Sequence, residues 1–158
     1  MRTIKFRGKK PTNGVWVYGS LVYSNEIDAA IYYQTGNSSV KVMDWVYVTP
    51  DTVCQFTGFH DKNGKEIYEG DVLRSDEYPF SCTERDEYDN YYGAIGWSEE
   101  EALFYIVTIR NPKAYVAGVS DGITDVISQK KMQDFEVIGN IHEDKWKQFR
   151  DYFQDDEK

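Results

Sequence analysis

The stretch Phe56-Thr-Gly-Phe-His-Asp-Lys-Asn-Gly-Lys-Glu-Ile-Tyr-Glu-Gly-Asp-Val-Leu73 reads as a β-hairpin that turns sharply into a further strand. Asn63-Gly64 is the dipeptide that best tolerates two successive positive φ values in a tight turn. Ile67, Tyr68 and Val72 favour extended backbone. Gly70, inside Glu69-Gly70-Asp71-Val72, suits the sharp entry to a strand that a tightly curved small barrel needs. This pattern speaks of a fold and leaves the chemistry open.

The N-terminus echoes that stretch at an offset of about 50 residues. Phe6-Arg-Gly8 aligns with Phe56-Thr-Gly58, Asn13-Gly14 with Asn63-Gly64, and Val17-Tyr18 with Ile67-Tyr68. One extra residue, Glu69, then brings Gly19 opposite Gly70. The echo fits either a duplicated hairpin or two hairpins sharing turn chemistry, with Asn13, Gly14, Asn63, Gly64 and Gly70 as structural turn residues.

Outside these hairpins the pattern stays β. Ala29 to Gln34, Val40 to Thr49, Leu103 to Arg110, Ala114 to Ser120 and Phe135 to His142 are rich in Val, Ile, Tyr and Phe and are bounded by turn formers. Asp121-Gly122 marks a turn across which Ala114 to Ser120 pairs with Ile123 to Ser128. A C-terminal helix is expected over about 144–154, where Trp146, Phe149 and Phe153 form an apolar stripe. The expectation is a mainly β protein of SH3-like small barrel type with Asn-Gly hairpins, a long acidic insertion and a short C-terminal helix.

With 158 residues, the chain is long enough for one domain, or two small sub-barrels sharing a core, without disulfides or metals to hold it. Its two cysteines, Cys54 and Cys82, are far apart in the sequence and suggest a reducing cytoplasm. Neither a signal-peptide run nor a membrane-length apolar run is present, so no membrane role is expected.

The net charge of −9 is concentrated in one place. Residues 76–101 hold nine acids against Arg85 alone, interleaved with Tyr78, Phe80, Tyr88, Tyr91, Tyr92 and Trp97. Plain solvated acidic tails are poor in aromatics, so a variable, partly ordered insertion over about 74–101 is expected. Its candidate partner-binding residues are Tyr91, Tyr92, Trp97, Glu99, Glu100 and Glu101. By contrast, Arg2, Lys5, Arg7, Lys9 and Lys10 make the first eleven residues wholly basic.

Three blocks together resemble the YopX-like family of phage and prophage proteins: Ile4-Lys-Phe-Arg-Gly-Lys9 with Trp16-Val-Tyr-Gly19, then Gln55 to Val72, then Phe135-Glu-Val-Ile-Gly-Asn-Ile-His-Glu143. The resemblance implies a mostly β fold related to SH3-like barrels, a single 1–158 domain in the cytoplasm of a bacterial host, and oligomeric assembly. It brings no activity with it, so no catalytic residue is carried over.

Chemical motifs are sparse. Asp61-Lys-Asn-Gly-Lys-Glu66 departs from a calcium loop because its Gly falls too early and no helices flank it. Cys54, His60, Cys82 and His142 lack the close pair spacing of zinc sites. His60 and His142 are the available imidazole bases, and neither has an evident nucleophile beside it. No catalytic residue, metal, cofactor or small-molecule ligand is therefore expected. The leading expectation is a non-catalytic module that binds protein, including copies of itself. The alternatives are an acidic mimic of nucleic acid acting on a host protein, a nucleic-acid-binding barrel using the basic N-terminus, and an uncharacterised enzyme.

Overall fold

A computed structural model describes residues 3–24, 28–37, 39–76, 91–109 and 123–150. The chain divides into two compact units, residues 1–58 and 59–158, and is mainly β with antiparallel ladders throughout. No closed barrel forms among the described residues.

In the first unit, β1 (Phe6–Lys9), β2 (Trp16–Tyr23), β3 (Ala29–Gly36), β4 (Lys41–Val48) and β5 (Cys54–His60) lie in the order β4-β3-β2-β1-β5. The β2 strand serves two ladders. Its first half pairs with β1 through Lys9↔Trp16 to Phe6↔Gly19, and its second half pairs with β3 through Ser20↔Tyr32 to Tyr23↔Ala29. The changeover falls at Gly19, where a Cβ would run into the Tyr32 carbonyl, so only a glycine lets the two backbones come this close. Val17, Ala29, Ile31 and Val48 form the core of this unit, with Phe6, Leu21, Tyr33, Val46 and Val53 packed around them.

The β5 strand continues past Gly58 and turns back at Asn63-Gly64 into β6 (Glu66–Tyr68). The turn differs from expectation. Gly64 has a φ of +79°, but Asn63 is not in the left-handed region. The Gly64 N–H donates to the Asp61 carbonyl at 3.0 Å and the Asp61 N–H to the Lys65 carbonyl at 2.9 Å, which describes a type I turn closed by a left-handed glycine. Buried Asp61 explains the choice. Its Oδ1 accepts from the Asn63 and Lys65 N–H groups at 2.8 and 2.9 Å, a side-chain template that needs only one positive φ. The Asn13-Gly14 turn likewise places only its glycine at positive φ, with the Val15 N–H donating to Asn13 Oδ1 at 3.1 Å.

In the second unit, β7 (Asp71–Ser75), β8 (Tyr91–Ser98), β9 (Leu103–Ile109), β10 (Ile123–Val126) and β11 (Glu136–Asn140) form a sheet ordered β10-β9-β8-β7-β11. Both faces of this sheet are covered. Leu73, Ile95, Phe104, Ile106 and Val137 join Phe135 and Met132 on one side, while Val72 and Ala94 meet Trp146 and Phe149 on the other. A strand covered on both faces reads as a continuous apolar run rather than as alternation, and β8 shows this in Gly93 to Gly96, all four buried.

Two expectations are corrected. A short helix α1 (Gln129–Met132) follows β10, with Ser128 Oγ accepting from the Lys131 N–H at 3.3 Å as its cap. The C-terminal segment Asp144–Arg150 is 3-10 helix rather than α-helix. Trp146 and Phe149 lie three residues apart, which is one 3-10 turn, and both are buried. Phe153 and the expected strand over 114–120 lie outside the described residues.

Candidate binding surface

Residues that are Cα partners in an antiparallel ladder point to the same side of the sheet. The pairs Lys9↔Trp16, Arg7↔Tyr18, Ser20↔Tyr32 and Tyr32↔Trp45 therefore trace one face across β1, β2, β3 and β4, opposite the core of the first unit. That face is aromatic and basic. The Arg7 guanidinium lies 4.4 Å and the Lys9 ammonium 5.1 Å from the centre of the Trp16 ring, and the Lys5 ammonium sits 5.6 Å from that of Tyr18. Tyr32 stacks on Trp45 at 6.2 Å, and Trp45 meets Tyr47 edge-on at 5.0 Å.

These rings are not core. Tyr18, Trp45 and Tyr47 are 43%, 47% and 50% exposed, so a partner has access to them. Ten of the eleven large apolar residues that are exposed among the described residues belong to the first unit, Val126 being the exception. An open groove of about 680 Å³ runs over this face, lined by Lys5, Lys10, Trp16, Tyr18, Tyr32 and Met43 among others. Its lining contains two lysines and no carboxylate. At the margin, β4 is the last strand of the hydrogen-bonded order among the described residues and exposes Val42, Met43, Trp45 and Tyr47.

Charge divides with the units. Residues 1–58 carry six basic and four acidic residues, whereas residues 59–158 carry twelve basic and twenty-three acidic ones.

Of the residues expected to bind partners, the three aromatics lie in β8 and the three glutamates directly follow it. Tyr91 is 3% exposed inside β8, Tyr92 packs beside Trp146 at 6.2 Å, and Trp97 meets Phe104 edge-on at 4.8 Å. They are packing aromatics of β8, which lies between β7 and β9 in the sheet. Glu99, Glu100 and Glu101 are exposed on the β8–β9 connection, which closes with Ala102 at a φ of +52°. Residues 77–90 lie outside the described residues.

Gly14, Gly64 and Gly70 all take positive φ, and Gly70 does more than turn the chain. With a φ of +71°, it donates its N–H to the Ile95 carbonyl at 2.7 Å and accepts from the Ile141 N–H at 2.9 Å. Next to it, buried Asp71 accepts from the Tyr68 N–H at 2.9 Å and from Asn140 Nδ2 at 3.3 Å. Asn140 Nδ2 also donates to the Glu69 carbonyl at 3.3 Å, and its Oδ1 accepts from the His142 N–H at 3.0 Å. Two of the three blocks read from the sequence thus meet in space, and what they build is a structural lock.

His60 is held by its backbone: its N–H donates to Gln129 Oε1 at 3.1 Å and its carbonyl accepts from Gln129 Nε2 at 2.9 Å. Cys54 is a buried thiol, and no cluster of three metal-ligating side chains occurs among the described residues. No helix among them is long and apolar enough to cross a membrane.

The sequence reading missed Trp16, Tyr18, Tyr32, Trp45 and Tyr47 as surface residues. A signal was present: Lys5, Arg7 and Lys9 alternate in the same period-2 phase as Trp16 and Tyr18, which places cations and rings on one face once the hairpin is paired.

Comparison with solved structures finds protein EF1440 from Enterococcus faecalis, 20% identical, with a TM-score of 0.50 over 92% of this chain and 97% of that one. That likeness concerns the fold alone. A search of curated proteins finds no match. The family model described as YopX protein matches residues 5–145, reaching into all three sequence blocks and both compact units, and the chain accordingly belongs to the YopX family.

Proposed function

We propose that this protein is a non-catalytic binding module that assembles with copies of itself through the open edge of β4. The observation behind this is the edge itself. It is eight residues long, ends the hydrogen-bonded order, and exposes Val42 on one face and Met43, Trp45 and Tyr47 on the other. An unpaired edge offers a row of backbone donors and acceptors to another strand, and natural proteins usually guard it with charges, prolines or bulges. Here Lys41 and Asp44 are the only charges and the strand has no proline. A second copy brings an identical edge, and pairing would remove both from water.

The test is light scattering coupled to size-exclusion chromatography over a range of concentrations, with Val42→Lys/Trp45→Lys as the guarded variant. Assembly that the variant abolishes while its thermal melt is retained supports the reading. A chain that stays monomeric throughout overturns it.

The SH3-like reading belongs to this proposal too. A β2 strand that bends at Gly19 and splits its pairing between β1 and β3 is how a small barrel wraps its sheet, and it supports treating β1–β5 as such a unit within one family domain. The family resemblance suggests a phage or prophage origin and a bacterial cytoplasm. A second reading, an acidic decoy for a basic host protein, is favoured by the charge excess of residues 59–158 and the exposed Glu99–Glu101 tip. Glu99→Gln/Glu100→Gln/Glu101→Gln should then lose a captured basic partner, and unchanged capture rejects the decoy.

A further inference from the structure

We propose that the groove over β2 and β3, flanked by Lys5 and Lys10, binds single-stranded nucleic acid, with bases stacked on Tyr18, Tyr32 and Trp45 and phosphates met by the two lysines. The site lies on the aromatic face of the first unit and shares Trp45 with the β4 edge, so its test rests on Tyr18, Lys5 and Lys10, which the edge does not contain.

Proteins that hold single strands without reading sequence combine a basic track with aromatic side chains on which successive bases stack. Both parts are here. Lys5 and Lys10 line the groove with no carboxylate among its lining residues, and Trp16, Tyr18 and Tyr32 supply π surface along it. The ring row continues past the groove, because Trp45 stacks on Tyr32 and Tyr47 abuts Trp45. Arg7, 5% exposed, and Lys9 pin Trp16 by cation–π contact, which fixes the indole in one orientation before any ligand arrives.

Chain acidity does not oppose this. Residues 1–58, which carry the groove, hold six basic against four acidic residues, and the charge excess lies in residues 59–158. A single strand suits the face better than a duplex, since exposed rings need unpaired bases and paired bases have no free faces to offer. An acidic peptide would satisfy the lysines but would not use the row of rings.

The experiment is fluorescence anisotropy of the full chain against labelled oligo-dT and oligo-U of about 15 nucleotides and a blunt duplex of the same length, at about 50 and 200 mM salt. Single strands are expected to bind more tightly than the duplex and to weaken as salt rises. Tyr18→Ala should weaken binding about 5- to 100-fold while Tyr18→Phe retains it, because stacking needs the ring and not the hydroxyl. Lys5→Gln/Lys10→Gln should flatten the log–log salt slope by about 1.4, and Lys130→Gln, which is not among the groove's lining residues, should change nothing. Thermal melts keep loss of fold apart from loss of binding. No anisotropy change at low salt overturns the proposal, as does binding indifferent to both the Tyr18→Ala and lysine variants. Displacement by polyglutamate as effective as by unlabelled oligo-U also overturns it and assigns the face to an acidic peptide.

Discussion

Asp71 and Asn140 face one another as Cα partners of the β7–β11 ladder, and the Asn140 amide donates to the Asp71 carboxylate at 3.3 Å with both side chains 1% exposed. One residue comes from the block containing Glu69-Gly70-Asp71-Val72 and the other from Ile138-Gly139-Asn140-Ile141. Sixty-nine residues of chain separate them.

Asp71→Ala should destabilise the protein by about 2–5 kcal/mol, because it strands the Tyr68 N–H and an Asn140 donor away from water. Asn140→Ala should cost less for the pair itself but also frees the His142 N–H. Urea unfolding of the two single variants and the double variant forms a cycle, and a coupling of about 0.5–3 kcal/mol is expected for residues in direct contact. Strictly additive losses would mean that the two side chains act separately.

Much of the architecture was readable in short-range patterns. The Asn-Gly hairpins, the β-rich runs and the glycine entry at Gly70 are local features, and local chemistry decides them. What was not readable depends on partners distant in sequence. Tyr91, Tyr92 and Trp97 follow an acidic stretch and looked like surface anchors, yet β7 and β9 flank their strand and its two faces meet separate apolar clusters. Tyr18, Trp45 and Tyr47 sit in strand-like sequence whose composition does not say which side meets water, and only the phase of pairing decides it. The 3-10 segment was missed for a different reason: a spacing of three residues between Trp146 and Phe149 fits either helix type.

Exposed ion pairs should give a measurable pH signature at both ends of the scale. The Lys62 ammonium, 3.1 Å from Asp76, holds the Asp76 carboxyl below its ordinary 3.8, and the hydrogen bond to Asp76 raises Lys62 above its ordinary 10.5, with Glu136 adding to it. A lowered carboxyl contributes stability that is present above its unfolded value and is lost as pH falls through the folded one. A raised ammonium contributes stability that is present below its unfolded value and is lost as pH rises through the folded one. The difference in melting temperature between wild type and Asp76→Asn should therefore be flat across neutral pH, shrink below 3.8 and shrink again above 10.5. Both groups are solvent-exposed, so the difference should be small and should fall with added salt. A difference that grows on acidification would contradict this account.

Asp61 should prove to be among the most sensitive positions outside the apolar core. Its carboxylate is 2% exposed and accepts three backbone N–H groups, from Asn63 and Lys65 in its own turn and from Val137 on β11 at 2.9 Å. One side chain thus shapes the β5–β6 turn and ties it to a strand seventy-six residues away. Asp61→Ala removes every one of these acceptors and should cost at least about 3 kcal/mol, since a stranded buried donor alone costs about 1–3 kcal/mol. Asp61→Asn keeps one oxygen in place but turns the other acceptor into a donor, so it should fall between wild type and alanine. Amide exchange identifies the mechanism: Lys65 and Val137 should both lose protection in Asp61→Ala, whereas in Asp61→Asn one of the two should stay protected. If the alanine variant unfolds within 1 kcal/mol of wild type, roughly the worth of a single ordinary hydrogen bond, the carboxylate is not what holds the turn to β11.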